Sequence, residues 1–322
     1  MKHRRIRLGE IAVSCREQGE GELVVLLHGF PELSGAWHHQ LAALAAAGFR
    51  AVAPDLRGYG GSDAPEDPGA YDLLRATGDV VGLVQALGAE RALVAGHDWG
   101  AQVAAHCGLL RPDLFPAVAL LGVPFTPRLA EAGPPSDRLR AAAGEEGQIY
   151  ALRFLEEGAE AELEADVRDT LLRFYHAASG DASEAERFPV VYPKGRRLLE
   201  VLARPAEPPS WLDPDELDLA VATFERTGFR GPLAWYRAAD LTHERTAFLE
   251  GARLRVPTLF LAGERDPVLA WRRGATERIE DFVPGLVRKM LFPGAGHWIQ
   301  QERAEDVSRE LVDFARRALG DR

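Results

Sequence analysis

The chain has 322 residues, and 38 Lys+Arg against 49 Asp+Glu leave a formal net charge of −11. With 46% hydrophobic and 27% charged residues it falls among soluble globular proteins, with enough chain to bury a substantial core. The acidic balance argues against a nucleic-acid partner or an anionic membrane surface, since both attract Lys/Arg clusters. The basic group Lys2, Arg4, Arg5 and Arg7 is too short to reverse that and reads as a solvated strand end. Two cysteines, Cys15 and Cys107, offer neither a disulfide framework nor metal-ligand spacing. Reduced thiols, a cytoplasmic location and no metal are expected. The N-terminus carries charges without an apolar stretch behind them, so no signal peptide is visible. Residues 92–110 are weakly charged but hold His97 and Asp98 at their middle, which lipid would not tolerate.

In chain order, residues 22–28 form a continuous apolar run closed by Gly29, the sign of a strand buried on both faces. Residues 37–47 are helical in composition and stop at Gly48, and 49–56 read as a second strand before a glycine-rich turn. Leu73, Leu74, Val80, Val81, Val84 and Leu87 recur at helical spacing. Residues 91–97 read as a third strand, 100–110 as a helix, and 117–123 as a fourth strand. Such alternation predicts parallel strands with crossover helices on both faces, hence an α/β fold. From 124 to about 255 no strand-like run occurs, only helical stretches between Pro- and Gly-rich joints. One start is plain: Asp213-Pro214 with Glu216 combines a cap, a first-turn proline and a glutamate three residues on. Alternation resumes with strands at 257–262 and 286–292 and closes with a helix over 304–319. The expected organisation is a core of 1–124 and 256–322 interrupted by a helical cap, 125–255.

Gly96-His97-Asp98-Trp99-Gly100 lies between a predicted strand and a predicted helix. Glycines two before and two after let the chain turn sharply and expose the central side chain, as in a nucleophile elbow. Asp98 therefore reads as a carboxylate nucleophile that also caps the helix. Downstream, Asp266 ends the penultimate strand region and His297 follows the last strand after a glycine-rich loop. That order suits a nucleophile, an orienting acid and a histidine base, with Glu264 the nearest rival to Asp266. The remaining histidines read as ordinary: His38, His39 and His106 on helices, His28 and His97 beside turns.

Together these stretches resemble an epoxide hydrolase of the soluble, α/β-hydrolase type. The matching segments are 28–32, 53–63, 96–101, 224–237 and 296–302, spread over nearly the whole chain. The resemblance implies a mostly parallel eight-stranded sheet and no cofactor. It also implies an oxyanion hole from the backbone N–H groups of Phe30 and Trp99. Substrate would be walled by Phe30, Pro31, Trp99 and Trp298. Two cap tyrosines would hold the epoxide oxygen. One falls on Tyr236, in Phe229-Arg-Gly-Pro-Leu-Ala-Trp-Tyr236. The other falls on Tyr150, where Leu155 and Glu157 depart from the family pattern, with Tyr175 and Tyr192 as fallbacks. Partners would be a small epoxide and water, with the chain a monomer or homodimer. A haloalkane or haloacid dehalogenase using the same aspartate is the second reading, although haloalkane dehalogenases usually carry Asn at the Phe30 position, and a non-catalytic binding member of the fold is the third. A cis Phe30–Pro31 bond is expected at the oxyanion loop.

Overall fold

The computed structural model describes residues 1–320. The expected second core part, 256–322, thus ends two residues outside the described ones. Eight strands form one sheet: β1 (Lys2–Leu8), β2 (Ile11–Gln18), β3 (Leu23–Leu27), β4 (Arg50–Pro54), β5 (Ala92–His97), β6 (Ala117–Leu121), β7 (Thr258–Gly263) and β8 (Leu286–Phe292). Their spatial order is β1-β2-β4-β3-β5-β6-β7-β8. β1 and β2 pair antiparallel, as do β2 and β4, and every other neighbouring pair is parallel.

β1 and β2 extend the sheet beyond the six strands read from the sequence. The outer strand, β1, is almost wholly exposed and rich in Arg, so its alternation carries one buried side chain, Ile6. Charge on an edge strand discourages edge-to-edge pairing with another chain. β2 buries Arg16 and Glu17. Their polarity hides the strand from a hydrophobicity reading. Glu17 is held by Arg4 at 2.9 Å and Arg50 at 2.8 Å across the three adjacent strands.

Three helices follow their strands: α1 (His38–Ala46), α2 (Leu73–Ala86) and α3 (Trp99–Leu110). The helices of the intervening block include α4 (Tyr150–Arg153), α5 (Val167–Ala177), α6 (Pro214–Thr227) and α7 (Arg230–Arg237). The closing helix is α8 (Ala304–Leu319). α2 begins where the Asp72 carboxylate accepts from the Leu74 and Arg75 amides, and α6 where Asp213 accepts from Asp215 and Glu216. Each such cap stabilises its helix by about 1 kcal/mol.

The pleat sends alternate strand residues to opposite faces. Val24 and Leu26 of β3 share one cluster with Trp37, Leu41 and Leu44 and with Leu311 and Phe314 of α8. Val25 and Leu27 join the core built with α2 and α3, to which Phe174, Phe224 and Trp235 of the helical block also belong. Helical block and sheet therefore share one continuous apolar interior. Trp235 donates its indole N–H to the Arg57 carbonyl at 3.1 Å, fixing α7 over the sheet.

One feature within residues 125–255 departs from expectation. Gly147–Gln148 and Tyr192–Pro193 form a short antiparallel ladder. Two residues a side leave no periodicity for a sequence reading to find. Among the described residues, no helix is long and apolar enough to cross a membrane.

Candidate active site

β5 delivers Asp98 at its C-terminal end, and α3 starts with the next residue. Asp98 has φ 52° and ψ −115°, the only positive φ at a non-glycine among the described residues. Such backbone strain persists only where the surroundings enforce it. Here the glycines do. A Cβ on Gly96 would sit 2.0 Å from the Gly100 carbonyl oxygen, and one on Gly100 would sit 2.1 Å from the Leu27 carbonyl oxygen.

The Asp98 carboxylate does not cap α3, contrary to the expectation from sequence. The turn instead aims it across the sheet end, where Oδ1 accepts from the Phe30 amide at 3.1 Å. That amide belongs to the loop after β3, whose Phe30–Pro31 bond is cis. Gly29 allows the approach, since a Cβ there would lie 2.3 Å from the Asp98 Cβ.

The other carboxylate oxygen, Oδ2, stands 3.8 Å from Nε2 of His297. His297 Nδ1 faces Oδ2 of Asp266 at 2.9 Å. Asp266 lies three residues past the end of β7, where its Oδ1 caps the short helix Pro267–Trp271 by accepting from the Val268 amide at 2.7 Å. Both oxygens are thereby engaged, and the carboxylate is buried. Glu264, its rival in the sequence, is exposed.

Beneath this trio lies a buried network that the sequence reading passed over. His97 presents Nδ1 to Glu32 Oε2 at 2.7 Å and Nε2 to the His297 carbonyl at 2.8 Å. Glu32 Oε1 accepts from Gln300 at 2.8 Å and Gln301 at 3.3 Å, and its Oε2 from the Gly29 amide at 3.3 Å. Burial alone would raise the Glu32 pKa, but the charge and hydrogen bond of His97 outweigh it and hold the carboxyl below its ordinary range. One carboxylate thus ties the loop after β3 to the loop carrying His297. The available signal was a histidine closing an apolar strand, because a fully buried polar side chain requires a partner.

Above Asp98 opens a cavity of about 790 Å³, between the sheet's C-terminal edge and the helical block. Phe30, Asp98, Trp99, His297 and Trp298 line its floor, and Tyr150 and Tyr236 its roof. Pro31 is not part of this lining. Its carbonyl accepts from the Tyr175 hydroxyl at 3.0 Å, which also removes Tyr175 from the cavity. Tyr192 sits on the small ladder, outside the lining. The Tyr150 and Tyr236 rings meet edge-on at 5.9 Å, and Tyr236 stands edge-on to Trp99 at 5.2 Å.

Burial pushes the Tyr150 phenol upward and the negative charge of Asp98 adds to it, with Arg272 and a hydrogen bond to Tyr236 opposing. Burial likewise raises Tyr236 well above its ordinary value, helped by Tyr150 and Asp98 and opposed by a hydrogen bond with Trp99. Both groups stay protonated O–H donors at neutral pH. For His297, burial alone would lower the pKa. The Asp266 charge and hydrogen bond, then Asp98 and Glu32, overcome this and raise it to about 9. Among the described residues no group of three or more His, Cys, Asp or Glu side chains is placed to hold a metal ion.

An acid-held histidine facing an elbow residue at the end of a central parallel strand defines the α/β hydrolases. The α/β hydrolase fold family model matches residues 22–304. Epoxide hydrolase A of Mycobacterium tuberculosis is 46% identical over 303 residues, covering 92% of each chain. A solved epoxide hydrolase from an endophytic Streptomyces superposes with a TM-score of 0.93 at 41% identity, covering 97% of this chain and 94% of that one. Epoxide hydrolase A from Mycobacterium thermoresistibile gives 0.91 at 44% identity, with 98% of both chains covered. The chain therefore belongs to the α/β-hydrolase fold family, and within it to the epoxide hydrolases.

Proposed function

We propose that this enzyme converts an epoxide and water to a vicinal diol through a covalent ester on Asp98. The observation that carries this reading is one cavity holding a carboxylate on an elbow, a histidine–aspartate pair against it, and two protonated phenols above it.

Oδ1 of Asp98 is occupied by the Phe30 amide, so Oδ2 is the attacking oxygen. It displaces the ring oxygen from carbon, forming the C–O bond of an ester as the ring C–O bond breaks. The electron pair goes to the ring oxygen, which Tyr150 and Tyr236 stabilise by hydrogen bonding and one of them protonates. Asp98 is now neutral. One of the charges that raised the His297 pKa is gone, so the imidazolium gives up its proton, which replaces the one the tyrosine lost, and the neutral ring serves as base.

His297 Nε2 then takes a proton from water, and the resulting hydroxide attacks the ester carbonyl carbon of Asp98. Negative charge develops on Oδ1, where the Phe30 amide already points and the Trp99 amide lies at the start of α3. Each such donor is worth roughly 3–4 kcal/mol to the transition state. Collapse breaks the bond from the Asp98 carboxyl carbon to the original Oδ2, which leaves as the diol oxygen and takes the proton of the added hydroxyl, so the carboxylate and the His297 imidazolium are both restored. Asp266 holds His297 in register and stabilises its positive charge. An aspartate suits this chemistry because the ester carbonyl belongs to the enzyme, and the substrate needs none of its own.

Haloalkane dehalogenation would use the same Asp98. Phe30 offers no side-chain donor for a leaving halide, and the Trp99 side chain is engaged with Tyr236. The test is turnover of styrene oxide, an aliphatic epoxide and a bromoalkane by wild type and Asp98→Asn. Diol formed by wild type and lost in Asp98→Asn is the expected result. Halide release without diol would overturn the proposal.

A further inference from the structure

The backbone on either side of His297 is held as closely as its ring. The His297 amide donates to the Ala178 carbonyl at 2.8 Å. The neighbouring amides, of Gly296 and Trp298, donate to the two oxygens of Glu302 at 2.8 Å and 3.0 Å. Glu302 Oε2 accepts from one more amide, that of Gly180, at 2.9 Å. Ala178 and Gly180 belong to the helical block, just past the end of α5. The Trp298 indole donates to the Tyr175 carbonyl of α5 at 2.9 Å. The last carbonyls of a helix have no partner within it and need one from outside. The loop carrying His297 supplies that partner, so the C-terminus of α5 and the catalytic loop complete each other.

The acid of the pair is tied to the same segment. Arg265, the residue before Asp266, donates from its guanidinium to the Gly180 carbonyl and, at 2.8 Å, to the Ala182 carbonyl. Its amide donates to the Ala295 carbonyl at 2.9 Å. Gly180 is thus gripped at its N–H by Glu302 and at its C=O by Arg265. The backbones meet without room for side chains. A Cβ on Gly180 would lie 2.1 Å from the Gly294 carbonyl oxygen, and one on Gly296 would lie 2.4 Å from the Ala178 carbonyl oxygen. Glu302 is half-buried. Burial raises its pKa, and the amides of Gly296, Gly180 and Trp298 oppose the rise by stabilising the carboxylate. A carboxylate suits this place because both of its oxygens only accept.

We propose that Glu302 and Arg265 are positioning residues that clamp residues 178–182 of the helical block to the catalytic loop, and that this clamp serves hydrolysis of the ester and not its formation. This rests on the two-step reading above. Ester formation uses the carboxylate of Asp98 and the phenols of Tyr150 and Tyr236, which stand on the β5–α3 turn, α4 and α7. Hydrolysis needs Nε2 of His297 aimed at water while Nδ1 keeps Asp266, and the clamp fixes the backbone that aims this ring. A misplacement of about 1 Å at such a group costs on the order of a hundredfold in rate.

Stopped-flow fluorescence with styrene oxide separates the two steps in wild type, Glu302→Gln, Glu302→Ala and Arg265→Gln. Glu302→Gln keeps the shape of the side chain but turns one accepting oxygen into a donor. It should slow ester hydrolysis roughly tenfold, and Glu302→Ala roughly a hundredfold, with ester formation within about twofold of wild type. The ester should then accumulate, and kcat and KM should fall together. Arg265→Gln should act in the same direction, which keeps the test decisive if a Glu302 variant does not fold. The negative charges around His297 are those of Asp266, Asp98 and Glu32, and the variants weaken the contact with the first. The acid limb of ester hydrolysis should therefore move to lower pH. A residue that only braced the fold would lower the unfolding midpoint and leave both rate constants and the acid limb unchanged; that result overturns the proposal. Equal slowing of the two steps overturns it as well, while leaving the two-step reading intact. No ester in wild type or any variant would sink the two-step reading itself, and the proposal with it.

Discussion

Replacing Asp98 by Asn removes a negative charge from beside His297 with little change in shape. Nε2 of His297 lies 3.8 Å from Oδ2 of Asp98, and both side chains are largely screened from solvent. At that separation two unit charges attract by about 1 kcal/mol at the dielectric of water and about 4 kcal/mol at an effective value near 20. With about 1.4 kcal/mol per pH unit, the His297 pKa should fall from about 9 by roughly one to three units. The sign follows from charge: a carboxylate favours the imidazolium, so its loss favours the neutral ring. The same fall accompanies ester formation in the proposed cycle, which turns His297 from a proton holder into a base. The assay is NMR titration of the imidazole nitrogens, with His297 assigned among nine histidines by the spectrum of His297→Gln. If the His297 pKa stays near 9 in Asp98→Asn, Asp266 alone sets it. Alkylation of Asp98 would then not free the base, and the coupling of the two half-reactions would be wrong.

His297 also carries a pH-dependent share of stability. Its folded pKa is raised from 6.5 to about 9, so the stabilisation is fully present below about pH 6.5 and is lost as pH climbs through 9. By linkage that amounts to about 3 kcal/mol, and urea unfolding of His297→Gln should lack this part of the wild-type decline between those pH values. Tyr236→Phe and Tyr150→Phe should each slow ester formation roughly tenfold to a hundredfold in stopped-flow fluorescence, with circular dichroism unchanged. The double variant should form no ester, and a double variant at wild-type speed would remove both phenols from the mechanism. Glu32→Gln should destabilise the protein by about 3 kcal/mol in urea, since it leaves His97 without its buried anion. An unchanged midpoint would deny the network its bracing role.

The sheet was legible in the sequence wherever strands are buried on both faces, because β3, β5, β6 and β7 have no polar alternation to obscure them. β2 escaped because Arg16 and Glu17 are buried through ion pairs, which an apolar pattern does not register. The elbow was legible because its glycines are required by sterics and leave a fixed spacing around Asp98. The direction of the Asp98 carboxylate was not, since a cap and a cross-sheet contact to Phe30 place the same demand on sequence. His97 and Glu32 lie 65 positions apart and meet only through the strand order β3-β5.

The central claim is a covalent ester on Asp98, and one measurement addresses it directly. His297→Gln, mixed with styrene oxide, quenched in acid and digested, should yield the peptide containing Asp98 heavier by one substrate molecule. The adduct should be absent from Asp98→Asn/His297→Gln treated in the same way. Diol production by wild type with no adduct on that peptide in His297→Gln would mean that water attacks the epoxide directly, and the account given for Asp98 would be false.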